Sequence, residues 1–215
     1  MSNVIDVFWS FRSPYSRLIT ADLLDLQNDY NVDIQVRPVL PLAIRFPESL
    51  FNVDDRRAPR YIAMDSQRRG EMLGRPIIWP NPDPVVQDFK TMTVSSEQPY
   101  IYRLTKLGVE ASRRGKGLEF IHHVSDLIFG GTPEWDRGDK LKDAAAKAGV
   151  DLAELDQAIE SGDHMSEIES NHEALDASGH WGVPTLVFRD EPFFGQDRVD
   201  TLRWRLDQSG LSKQT

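Results

Sequence analysis

The chain has 215 residues, 40% hydrophobic and 27% charged, with a formal net charge of −9 and no cysteine. That balance belongs to a folded globular chain. It excludes a disulfide scaffold and thiol chemistry by the protein's own side chains, and it sets the global field against nucleic acid and anionic membranes. No apolar run approaches the roughly 20 residues of a spanning helix, and the first residues lack the basic and apolar stretches of a secretion signal. We therefore expect a cytoplasmic protein with neither nucleic acid nor membrane as partner.

Residues 3–10 bring Val4, Ile5, Val7, Phe8 and Trp9 together before a serine- and proline-containing turn, which predicts a buried first strand. From 14 to about 29, Leu18, Ile19, Ala21, Leu23, Leu24 and Leu26 recur at helical spacing. Residues 32–40 alternate again through Ile34 and Val36 until Pro38 and Pro41 break the pattern. The order is strand, helix, strand, which predicts a parallel pair.

Between about 42 and 179 the pattern changes to helices separated by proline and glycine turns, without strands. Helices are expected from 59 or 60 to 73, closed by Gly74, then over 99–114, 118–129 and 139–148. Asp151 with Glu154 makes a capping start for another, and a last one spans 163–177 ahead of Gly179. Thr185 to Phe188 and Pro192 to Phe194 flank a polar turn over 189–191, the mark of a hairpin. Gly195-Gln196-Asp197 then opens a terminal helix. We expect one domain from 1–41 and 179–215 and a helical insertion domain over 42–178, docked on it because no Ser/Gly linker intervenes.

Ser13-Pro14 stands where the first strand hands over to the first helix, with serine suited to the N-cap and proline to the first helical position. By itself this is ordinary capping. The chain resembles the group joining DsbA-like proteins, kappa-class glutathione transferases and 2-hydroxychromene-2-carboxylate isomerases in three further respects. They are the run Phe8-Trp9-Ser10-Phe11-Arg12-Ser13-Pro14-Tyr15-Ser16, the run Gly182-Val183-Pro184-Thr185 before a strand, and Phe193-Phe194-Gly195-Gln196-Asp197-Arg198. The resemblance extends from Val4 to Leu206 and implies an α/β thioredoxin-like fold, βαβ…ββα, with a large all-helical insertion.

In the dithiol branch of that group two cysteines would stand at Ser13 and Ser16, so this chain resembles the serine branch. The resemblance implies glutathione as cofactor, with Ser13 donating to its thiolate at the helix N-terminus, where free N–H groups and the dipole favour an anion. Val183, ahead of a cis Pro184, would pair with the extended tripeptide. Gln196 and Asp197 would meet its γ-glutamyl end, although Asp197 reads equally as a helix cap, and Asn52 would add a contact. The implied activity is glutathione-dependent cis-trans isomerisation of a small aromatic or enone carboxylate of the 2-hydroxychromene-2-carboxylate type. A kappa-type transferase, or a non-catalytic thioredoxin-like binding module, are the alternatives.

Arg12, Arg57 and Arg60 are the implied cations for the substrate carboxylate and developing enolate. Tyr15 and Trp79 would form its aromatic wall, Trp79 reading otherwise as packing between insertion and core. A homodimer is implied as well. The chain departs from the group at Arg56-Arg57-Ala58-Pro59, where members carry a lysine, and in the loop 82–88. His122-His123, His164, His172 and His180 match no metal-ligand spacing, and we expect no metal.

Overall fold

The computed structural model describes residues 3–46 and 54–213; Asn52 lies outside them. The first strand, β1 (Val4–Trp9), is buried at Ile5, Val7, Phe8 and Trp9. A crossover through α1 (Pro14–Asp29) returns the chain to β2 (Asp33–Pro38), parallel to β1 from Val4↔Asp33 to Trp9↔Pro38. Pro38 closes β2 rather than standing outside it. Because β2 is an edge of the sheet, a residue without an N–H is tolerated there.

The hairpin of β3 (Thr185–Phe188) and β4 (Glu191–Phe194) completes a four-stranded sheet ordered β2-β1-β3-β4, with β3 antiparallel to β1 and β4. Its turn is two residues, Arg189 and Asp190, at φ 52° and 65°. That left-handed pair matches the strand twist, so Glu191 joins the ladder opposite Phe188 where the sequence predicts a turn residue. This is the thioredoxin-like α/β fold.

The connection from β2 to β3 is helical. It runs through α2 (Leu42–Arg45), α3 (Arg57–Met72), α4 (Ile101–Arg113), α5 (Gly117–Phe129), α6 (Lys140–Lys147), α7 (Leu152–Ser161) and α8 (Met165–Ala177). Among the described residues of this connection, the four-residue α2 is the one helix with no counterpart in the sequence reading. Asp151 caps α7 as its position implies, accepting from Ala153 N at 2.8 Å and Glu154 N at 3.1 Å.

A hydrophobic cluster runs from Ile5, Val7 and Trp9 in the sheet, through Leu18 and Leu23 of α1, to Phe120, Ile121 and Val124 of α5 and Leu155 of α7. Each such side chain contributes about 1.5–3 kcal/mol on burial. Where α4 crosses the sheet, a Cβ at Gly108 would lie 2.9 Å from Phe11 Cε2 and 3.1 Å from Pro38 Cγ, so the crossing needs a glycine. After β4 the chain does not enter a helix at once. Gly195, at φ 107°, turns it into a short 3-10 segment, Gln196–Arg198, before α9 (Val199–Gln208).

Candidate functional site

The N-terminus of α1 and the turn ahead of β3 meet on one groove. Ser13 has extended backbone angles and caps α1, its Oγ accepting from Ser16 N at 3.1 Å. The Ser13 hydroxyl faces Val183 O at 3.5 Å, across 170 positions of sequence, and the Val183–Pro184 peptide is cis. At 3.5 Å that hydrogen bond is long beside the usual 2.7–2.8 Å, so the hydroxyl hydrogen is weakly engaged. Pro14 has no N–H and Arg17 N bonds to Ser13 O, which leaves the Tyr15 N–H without a partner among the described residues. The Val183 N–H is equally without one.

A cavity of about 660 Å³ opens on this groove, inside the size range of small-molecule sites. Ser13, Tyr15, Arg12, Arg60, Trp79 and Val183 all line it. Trp79 also packs edge-on against Phe129 at 6.2 Å, a contact within the 42–178 segment itself. Phe89, Trp181, Asp83 and Gln87 line it as well, none of them named as a site residue from the sequence. Phe194, within the quoted terminal run, completes an aromatic wall with Trp181. His180 stacks on Phe194 at 3.7 Å and on Trp181 at 5.2 Å, its Nδ1 accepting from Gly182 N.

The charged candidates divide. Arg12 is held by Asp83 and Gln87. Its Nε reaches Asp83 Oδ1 at 2.9 Å, and its Nη2 reaches Asp83 Oδ2 at 3.1 Å and Gln87 Oε1 at 2.8 Å. Arg60 is exposed at the wall and forms no ion pair among the described residues. Arg57 is not on the wall; its side chain is 91% exposed and pairs with Asp55 at 2.6 Å. Arg56, next to it, does line the cavity and donates to Lys90 O.

Tyr15 donates to Asp65 Oδ2 at 2.7 Å. Burial first, and Asp65 second, raise its phenol well above the ordinary value, so it stays neutral. Asp65 itself is held low, because hydrogen bonds from Tyr15 and Arg68 outweigh the opposing effect of its burial. Gln196 is buried and accepts from Arg69 at 3.0 Å, while Asp197 pairs with its neighbour Arg198 at 2.8 Å. Neither is on the cavity wall; they sit on the 3-10 segment, which packs against α1. Ser16 is fully buried, its carbonyl accepting from Trp9 Nε1 at 2.7 Å.

Glutathione suits this donor set chemically. The hydroxyl and free N–H at the head of α1 match an anionic sulfur, and the unpaired N–H of Val183 matches an extended peptide.

Comparison with known proteins follows the geometry. The family model described as a DSBA-like thioredoxin domain matches residues 4–207. No curated protein matches the chain significantly. Among solved structures, a 2-hydroxychromene-2-carboxylate isomerase superposes with a TM-score of 0.71 at 20% identity, over 95% of this chain and 95% of that one. The cytosolic disulfide reductase DsbM from Pseudomonas aeruginosa superposes with a TM-score of 0.63 at 13% identity, over 95% and 99%. The same protein with GSH gives 0.61 at 13% identity, over 95% and 99%. At these identities the likeness is one of fold.

Proposed function

We propose, from the premise that the chain belongs to the DSBA-like thioredoxin domain family, that it is a glutathione-dependent cis-trans isomerase of the 2-hydroxychromene-2-carboxylate type. One observation carries this: a helix-capping serine in place of a thiol, its hydroxyl 3.5 Å from the carbonyl ahead of Pro184, on the wall of a cavity with aromatic sides. Bound glutathione would supply a sulfur nucleophile whose reversible addition to a conjugated skeleton makes a double bond single and frees its rotation.

The chain's own part is binding and charge stabilisation. Ser13 would turn its hydroxyl hydrogen from Val183 O to the sulfur, aided by the Tyr15 N–H and the α1 dipole. Val183 would pair with the tripeptide backbone. Arg60 would take the substrate carboxylate, and Trp79, Tyr15 and Phe89 would stack on the aromatic ring. Gln196 and Asp197 would meet the γ-glutamyl end only if that end extends past the cavity wall along α1. A homodimer belongs to the same proposal and is checked by light scattering.

Ser13→Ala tests the assignment. We expect about 1 kcal/mol of capping loss and turnover of 2-hydroxychromene-2-carboxylate with glutathione to fall about 100-fold. Equal turnover in both proteins would remove Ser13 from the mechanism. A kappa-type transferase role gains from one feature, since Arg12 is already neutralised by Asp83 and a carboxylate substrate has fewer cations to meet. Product analysis separates the two, because isomerisation returns free glutathione and conjugation consumes it.

A further inference from the structure

Arg12 directly precedes Ser13, and its side chain crosses 71 positions of sequence to Asp83. The two side chains are 9% and 15% exposed. Each end is anchored separately. Asp83 Oδ1 also accepts from Val85 N at 2.8 Å, and Gln87, the third partner, donates to Met92 O at 2.9 Å. An ion pair removed from water recovers at best about what its desolvation costs, so stability is weak ground for placing one here. All three residues line the cavity together with Ser13.

The charged or titratable groups on the described wall are Arg12, Tyr15, Arg56, Arg60 and Asp83. Tyr15 is tied to Asp65 and neutral. Arg60 is exposed and screened by solvent, and Arg56 donates to Lys90 O. The Arg12–Asp83 pair thus places two nearly buried charges on the wall that Ser13 shares, among apolar surfaces that weaken screening further.

Resting on the glutathione reading above, we propose that Arg12 and Asp83 are positioning residues that set the acidity of the thiol held at Ser13, as a balanced pair whose geometry Gln87 fixes. While both are present, the guanidinium favours the thiolate and the carboxylate opposes it. Removing one member unbalances the site in a defined direction.

The test follows the ultraviolet absorbance of bound glutathione thiolate against pH, with affinity measured by calorimetry. Asp83→Asn keeps the shape and removes the opposing charge, and we expect the midpoint to fall by about one unit. Arg12→Gln leaves the carboxylate unbalanced, and we expect a rise of about one unit. The double variant should return close to the unmodified protein. A merely structural fastening would loosen the site alike in both single variants. Shifts of the same sign, or an unmoved midpoint in Asp83→Asn with glutathione still bound, overturn the proposal. Failure of the unmodified protein to bind glutathione overturns the underlying reading, and this one with it. Arg12→Gln is the more exposed to misfolding, since it strands a buried carboxylate. If circular dichroism shows that loss, the Asp83→Asn midpoint alone decides.

Discussion

A Cβ at Gly182 would lie 2.5 Å from Cε2 of Phe194 and 3.1 Å from Cε1 of His180, the two rings that stack beside the cavity. Gly182→Ala must therefore push Phe194 aside. That ring is 43% exposed and has room to swing, so we expect a loss of about 1 kcal/mol, the low end of overpacking. Trp181 emission should change, and glutathione affinity should weaken as the wall opens; unchanged emission and affinity would show the wall to be tolerant. Asp151→Ala, remote from the cavity, removes both of its capping bonds at α7. Thermal melts should report about 1 kcal/mol, with affinity unchanged. At this scale the site was partly legible in the sequence. Ser13 shows in the sequence as a helix cap, and it is the family resemblance that singles out both Ser13 and Pro184. Asp83 does not show, because its contact with Arg12 spans 71 positions and leaves no local pattern.

A histidine on α8 fastens the chain just ahead of the short helix α2. His172 Nε2 accepts from Leu40 N at 2.9 Å, just before Pro41, Leu42 and Ala43 reach the cavity wall. Burial first, then Arg45, pulls His172 from its ordinary 6.5 down to about 4. Neutral imidazole is the form that folds, so acid favours the unfolded chain. Stability from this contact is complete above about 6.5 and is lost progressively as the pH falls toward about 4. We expect the thermal midpoint to drop over that window, and His172→Gln, which can still accept from Leu40, to flatten the drop. A drop of the same size in both proteins would assign it to other groups. The sequence shows α1 and α5 clearly because their apolar positions repeat over several turns. It misses α2 because four residues carry no period, and it misjudges the start of α9 because the positive φ of Gly195 inserts a 3-10 turn.

One buried cluster joins the sheet to the helices between β2 and β3, so neither part keeps a dry interior without the other. We expect a single cooperative transition in denaturant, with far-ultraviolet dichroism and tryptophan fluorescence coinciding. Two separated transitions would mean that the segment over 42–178 unfolds by itself. Trp9 in β1 and Trp135 ahead of α6, both buried, report on the two parts. The same enclosure treats the paired serines unequally: Ser16 is 0% exposed, while Ser13 stands half-buried on the cavity wall. Thiols grafted at both positions, Ser13→Cys with Ser16→Cys, and kept reduced, would therefore meet an alkylating reagent one at a time. The first would be capped in the native protein and the second only after unfolding, so mass spectrometry of one labelled sample would read out how tightly the head of this helix is sealed.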